Sequence, residues 1–137
     1  MSPVPAHRQI RLHVKGGELY AIMTRKNILL IDDEPLIVAS LFRFLSGKGF
    51  DVVTTNSPVA ALTLIRMHKF DVVITDLNMT PVNGTEIIGR LHESDFPGKI
   101  MLISTCRNAG NARHIDAFFE KPFELSDVYQ KIREWTQ

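Results

Sequence analysis

The sequence predicts an α/β protein whose core is one doubly wound parallel sheet. Three observations predict it. Short runs rich in apolar and β-branched residues recur near 27–31, 50–54, 71–75, 100–103 and 117–119, and such runs read as strands buried on both faces. Segments with helical spacing separate them, and strand–helix alternation implies right-handed crossovers with helices on both faces of the sheet. The runs also end in carboxylate, hydroxyl or ammonium side chains. In open parallel sheets, ligands sit just beyond those carboxyl ends.

The chain opens differently. Met1 to His7 carry Pro3 and Pro5 and no periodicity. Ile10, Leu12 and Val14 then alternate with Arg11, His13 and Lys15, and Gly16-Gly17 leads into Glu18 to Met23. That pattern reads as a β-hairpin or an unstructured extension, because paired glycines accept the positive φ of a tight turn. A hairpin alone is marginally stable and would need something to dock on. We assign residues 1–24 to an N-terminal extension, either dispensable or a functional appendage, and 25–137 to the domain.

Within the domain, Asn27 to Ile31 form the first strand and end in Asp32-Asp33-Glu34. Pro35 suits a helix's first turn, where its missing N–H costs nothing. Ile37, Leu41, Phe44 and Leu45 follow at helical spacing, and Gly47 or Gly49 stops that helix. Phe50 to Thr54 is the second strand. Ser57-Pro58 reads as an N-cap and first-turn proline before Ala61, Leu62, Leu64 and Ile65. Asp71 to Thr75 is the third strand. Pro81, Asn83 and Gly84 are turn residues ahead of a third helix with Ile87, Ile88 and Leu91. Ile100 to Ile103 is the fourth strand and Ala117 to Phe119 the fifth. The polar stretch Arg107 to His114, with Gly110 inside it, leaves room only for a short or irregular fourth helix. The last helix begins near Glu124 and aligns Leu125, Val128, Ile132 and Trp135.

Composition excludes several classes. With 16 Lys and Arg against 15 Asp and Glu, the charge balance calls neither for direct nucleic-acid binding nor for an anionic membrane. No apolar run approaches the roughly 18 residues of a membrane span, and the N-terminus has no signal-peptide core. Cys106 is the one cysteine, which rules out an internal disulfide and fits a reducing, cytoplasmic compartment. The five histidines show no metal-ligand spacing, and His68, His92 and His114 are expected on solvated surfaces.

The strand ends carry the chemistry. The first gives Asp32 and Asp33, the third Asp76, the fourth Ser104 and the fifth Lys121. Three converging carboxylates repel and stay ionised only if something positive joins them. A hard divalent cation answers this, and Mg²⁺ is commonly held by one or two carboxylates, waters and phosphate oxygens. Lys121 offers a point charge for a phosphoryl oxygen. A carboxylate nucleophile beside these groups suits acyl-phosphate formation. The simpler reading of Asp32 and Asp33 is a helix N-cap pair. Thr105 is the alternative to Ser104 as the hydroxyl, which is preferred because it directly follows the strand. Phe118 reads equally as core packing.

These residues resemble the receiver domain of bacterial two-component response regulators, the CheY-like family. The resemblance rests on Ile28-Leu-Leu-Ile-Asp-Asp-Glu-Pro35, Val72-Val-Ile-Thr-Asp-Leu-Asn-Met79 with Gly84 closing the loop, Met101-Leu-Ile-Ser104 and Phe119-Glu-Lys-Pro-Phe123. It implies a flavodoxin-like (βα)5 fold with strand order 2-1-3-4-5. Asp76 is then the phospho-acceptor, receiving its phosphoryl group from a histidine kinase or histidine phosphotransfer protein. Asp33 and Asp76 would bind Mg²⁺ through carboxylates, Asn78 through its backbone carbonyl and Asp32 through a metal-bound water. Lys121 would pair with the phosphoryl group, Ser104 would turn toward it, and Phe118 would rotate inward behind Ser104. The protein would be a signalling module that catalyses only its own phosphorylation and dephosphorylation. It would act on an unknown output protein or on an output domain beyond this chain, and would be stand-alone or excised from a longer regulator.

The sequence departs from the family at three places. Thr80 stands where proline is usual, with Pro81 shifted by one. Thr105 replaces a small Ala or Gly and would narrow access to the phosphoryl group. The segment 105–117 is several residues short. Two other readings compete. One is an interaction module that keeps the fold but signals without phosphorylation. The other is a phosphatase of the haloacid dehalogenase type, disfavoured because its aspartates lie on one strand as Asp-x-Asp. Flavin binding is a weak fourth reading, since acidic residues follow the first strand instead of a phosphate-cradling loop.

Overall fold

The computed structural model describes residues 8–79 and 82–137. The expectations placed on Met1 to His7 and on Thr80 and Pro81 lie outside them. Strands β1 (Arg8–Lys15) and β2 (Glu18–Arg25) come first, then β3 (Asn27–Ile31), α1 (Pro35–Gly47), β4 (Asp51–Thr55), α2 (Pro58–Met67), β5 (Val72–Asp76), α3 (Gly84–Glu93) and β6 (Lys99–Ser104). A 3₁₀ turn (Arg107–Asn111), β7 (Ala117–Glu120) and α4 (Leu125–Thr136) complete the chain. The short or irregular fourth helix is thus a single 3₁₀ turn.

Strands β3 to β7 form one parallel sheet in the order β4-β3-β5-β6-β7, which is 2-1-3-4-5 counted from the first domain strand. The order reverses beside β3, so a crevice opens at the carboxyl ends of β3 and β5. The central strands are buried along their length, as apolar runs without alternation require. Leu29, Ile31, Val73 and Leu102 face one core with Ala61 of α2 and Ile87, Ile88 and Leu91 of α3. Ile28, Leu30, Val72, Ile74, Met101 and Ile103 face the other core with Leu41 and Leu45 of α1 and Val128 and Ile132 of α4. Period-two alternation in the strands meets one apolar stripe per helix.

Helix starts follow local chemistry. Ser57 accepts the Ala60 N–H at 3.1 Å, and Asn83 accepts that of Glu86 at 3.0 Å. Both are side-chain N-caps. No helix among the described residues is long and apolar enough to cross a membrane.

The β1–β2 hairpin pairs Arg8 with Arg25 through Lys15 with Glu18, around Gly16 and Gly17 at φ 61° and 83°. β2 runs one residue past the expected domain boundary at 24/25. The hairpin is a separate two-stranded sheet, and Leu12, Val14 and Leu19 are 69%, 72% and 67% exposed. These described side chains add little to the domain's buried core. Deleting residues 1–24 is therefore expected to change unfolding free energy by less than about 1 kcal/mol. A urea melt checks this; a loss of several kcal/mol would mean the hairpin docks on the domain.

Candidate functional site

The site is assembled by three strand ends. β3 delivers Asp32 and Asp33, β5 delivers Asp76, and the register of β6 with β7 (Ser104 opposite Glu120) sets Lys121 next in line. One oxygen from each of Asp32, Asp33 and Asp76 lies within 4.8 Å of the others. Asp32 and Asp76 are buried and Asp33 is exposed. Lys121 Nζ enters between them, 2.9 Å from Asp32 Oδ2 and 3.4 Å from Asp76 Oδ2.

The two aspartates after β3 have different duties. Both oxygens of Asp32 are engaged within the protein. Its Oδ1 accepts the Glu34 N–H at 2.9 Å and its Oδ2 accepts from Lys121. Asp33 has no hydrogen-bond partner among the described residues, so its carboxylate is available to a ligand. Neither acts as a helix cap. The N-cap position belongs to Glu34, whose side chain makes no capping bond. Glu34 reaches Lys121 instead, with Oε1 2.7 Å from Nζ, the shortest contact of that ammonium.

Three carboxylates, those of Asp32, Glu34 and Asp76, thus meet one ammonium, with Asp33 close by, and the electrostatics follow. Burial, and then the charge on Asp32, push the Asp76 carboxyl above its ordinary value; Lys121 and the Asn78 backbone N–H pull it partly back. That N–H meets Asp76 Oδ1 at 3.4 Å. Burial disfavours the charge on Lys121, but hydrogen bonds to Glu34 and Asp32 and the charges of Asp32 and Asp76 outweigh it, raising its pKa to about 12. Excess negative charge, hard oxygen donors and a free Asp33 fit a divalent cation, with Asp33 and Asp76 as the available carboxylates. Asn78 is exposed in the loop after β5, and the contact it makes with Asp76 is through its backbone N–H.

Ser104 is buried, and its carbonyl accepts the Lys121 N–H at 2.8 Å. Its hydroxyl accepts the Cys106 N–H at 3.0 Å. A hydroxyl also carries one donor proton, and that proton has no acceptor among the described residues. Thr105 is exposed. Phe118 lies opposite Leu102, one pleat step behind Ser104 on the same sheet face, half-buried against the core that includes Ala109. A Cβ on Gly110 would come within 3.1 Å of the Phe118 ring, so the 3₁₀ turn lies across that ring. The structure therefore gives Phe118 both a packing role and a place behind Ser104. His68, His92 and His114 are exposed, the last two with rings stacked 3.5 Å apart.

Gly84 closes the loop after Asp76 by donating its N–H to Leu77 O at 2.9 Å. An added Cβ would run into the Asp76 carbonyl oxygen and approach Leu77 Cα to 3.0 Å. Sequence reasoning missed the role of Glu34. The visible signal was a third acidic residue in the same strand-end run, but only the turn into α1 shows where its side chain points.

Comparison with known proteins gives a consistent result. Residues 28–133 match the family model described as response regulator receiver domain. Over 112 residues the chain is 29% identical to the transcriptional regulatory protein GlrR of Escherichia coli K12, covering 77% of this chain and 25% of that protein. It is 29% identical over 110 residues to the transcriptional regulatory protein KdpE of Mycobacterium tuberculosis, covering 77% and 49%. The chain spans half or less of the length of these curated relatives. Among solved structures, the response regulator TrrA of Thermotoga maritima, crystallised with Mg(2+)-BeF, superposes with a TM-score of 0.75 at 26% identity, covering 80% of this chain and 98% of that one.

Proposed function

This chain belongs to the response regulator receiver family, and from that premise we propose that it is a phosphorylation-driven switch in which Asp76 takes a phosphoryl group from a histidine kinase or histidine phosphotransfer protein. Signalling would take place in the cytoplasm, with Mg²⁺ as the metal. The observation that carries this reading is the convergence of Asp32, Asp33, Asp76 and Lys121 at the crevice of the sheet.

In the reaction, an Asp76 carboxylate oxygen attacks phosphorus. The bond from phosphorus to the donor's imidazole nitrogen breaks, and that nitrogen keeps the electron pair. Lys121 holds a phosphoryl oxygen, and Asp32 holds Lys121. Asp33, Asp76 and the Asn78 carbonyl would hold Mg²⁺, which when bound neutralises charge on the phosphoryl oxygens. No metabolic substrate is turned over; the chain acts on itself.

Ser104 can donate its free proton to the new phosphoryl group while still accepting from Cys106. A charge-assisted hydrogen bond present in only one state is worth about 1.5–3 kcal/mol, roughly a ten- to hundredfold population shift. Phe118 and the 3₁₀ turn, packed behind Ser104, would carry the change outward to a partner protein or output domain.

Incubation with acetyl phosphate tests this reading. The wild type should acquire one phosphoryl group only with Mg²⁺, read by intact mass, and Asp76→Asn should acquire none. Undiminished labelling of Asp76→Asn, or no labelling of the wild type, would overturn it. Beryllofluoride with Mg²⁺ should shift NMR signals around Ser104 and Phe118.

A further inference from the structure

The ammonium of Lys121 has three protons. Two are taken, by Asp32 Oδ2 at 2.9 Å and Glu34 Oε1 at 2.7 Å. Among the described residues, the third has only the Asp76 carboxylate before it, at 3.4 Å, an ion-pair distance too long for a full hydrogen bond. Glu34 does not reach Lys121 by accident of a loose side chain. Its backbone is extended at the N-cap of α1, its N–H is tied to Asp32 Oδ1, and Pro35 follows at the first helical position. Asp32, Glu34 and Lys121 thus close a ring. One Asp32 oxygen fixes the Glu34 backbone, the Glu34 carboxylate fixes Nζ, and Nζ returns to the other Asp32 oxygen.

We propose that Glu34 is the positioning residue of Lys121: with Asp32 it occupies two of the three ammonium protons and so aims the third at the oxygen of Asp76 where the phosphoryl group arrives. The inference rests on the phospho-acceptor reading of Asp76. Glu34 touches no reacting atom. Its effect passes through Lys121, whose other carboxylate partner, Asp32, cannot by itself fix rotation of the ammonium about its own contact. A tetrahedral head anchored at two points keeps its third proton on one line; anchored at one point, it sweeps a cone. The side chain of Glu34 is half exposed and makes no capping bond, so replacing it does not unbuild α1.

Two variants separate positioning from charge. Glu34→Ala removes both the acceptor and one negative charge, whereas Glu34→Gln removes the charge and keeps an acceptor oxygen. With acetyl phosphate and Mg²⁺, the maximal labelling rate should fall about tenfold in Glu34→Ala and recover most of the way in Glu34→Gln. The half-saturating acetyl phosphate concentration should drop equally in both, because each lowers the repulsion met by an anionic donor. In metal-free protein, the Lys121 ammonium NMR signal should keep its protection from exchange in Glu34→Gln and lose it in Glu34→Ala.

Equal rates in the two variants would reduce Glu34 to a charge. A faster Glu34→Ala would make it a latch that restrains Lys121. Either result overturns positioning while leaving the phospho-acceptor reading intact. A wild type that is not labelled removes that reading and this inference with it.

Discussion

Lys121→Met is expected to lower the unfolding free energy of the metal-free protein by about 3–5 kcal/mol. Methionine keeps most of the apolar stem, so the loss isolates the charge. Lys121 is the cation that the structure places on Asp32 and Asp76, both buried. Removing it leaves Asp32 in the interior beside two other carboxylates, with the Glu34 N–H as its one remaining donor among the described residues. Glu34 contributes little to the loss, because its side chain is half exposed and can turn to water.

The pH dependence of that loss has a definite sign. Burial and Asp32 already raise the Asp76 carboxyl above 3.8, and Lys121 is one of the groups holding it down. Without Lys121 it rises further. A carboxyl raised in the folded state binds more protons folded than unfolded, so stability falls as pH rises through the window above 3.8. The deficit of Lys121→Met should therefore shrink on acidification. It should also shrink at the alkaline end. The raised pKa of Lys121 gives the wild type stability that is full below 10.5 and lost between there and about 12. Mg²⁺ should bind the folded state, and more tightly once the competing ammonium is gone, so it should restore part of the deficit. Urea melts at several pH values, with and without Mg²⁺, measure all three effects. A small deficit that ignores pH and metal would contradict this account of the site.

Gly84→Ala should cost about 3 kcal/mol, at the upper end for overpacking, or roughly 10 °C in Tm for a chain of this size. The added Cβ meets the Asp76 carbonyl and Leu77 Cα, which are backbone and cannot rotate away. Relief requires moving the loop that holds Asp76 against Asn78, so metal affinity should fall with stability. Gly89→Ala is the matched control on the same helix. No atom lies within 4 Å of its added Cβ, and alanine should gain about 0.5–1 kcal/mol there from helix propensity. Thermal melts of the two variants should move in opposite directions. A neutral Gly84→Ala would show that the loop after β5 is softer than its contacts imply.

Much of this was legible in the sequence. Strand positions could be read because buried strands are short apolar runs, and boundaries shifted by about one residue because polar ends such as Asp76 still pair in the ladder. The site could be read because parallel topology sends every strand end to one edge. The ring through Glu34 could not, since it depends on the backbone path between Ile31 and Pro35, which brings Asp32 and Glu34 back to one ammonium and leaves Asp33 exposed. Nor could the placement of Phe118 beneath the 3₁₀ turn, which needs the register of β6 with β7. The division of helices between the two sheet faces was likewise invisible to pattern alone.

The 3₁₀ turn has one more consequence. It is five residues long and its one buried side chain is Ala109. The pair Arg107–Glu120 that ties it to β7 is exposed, and such a pair adds at most about 1 kcal/mol. An element held so lightly is expected to open more readily than the rest of the domain, which protection of its amides from hydrogen exchange would measure. It has no second turn to slide past and no rigid axis to tilt. If Ser104 and Phe118 signal through it as proposed, the change would be in how often this corner is closed, and a partner would read an occupancy instead of a displacement.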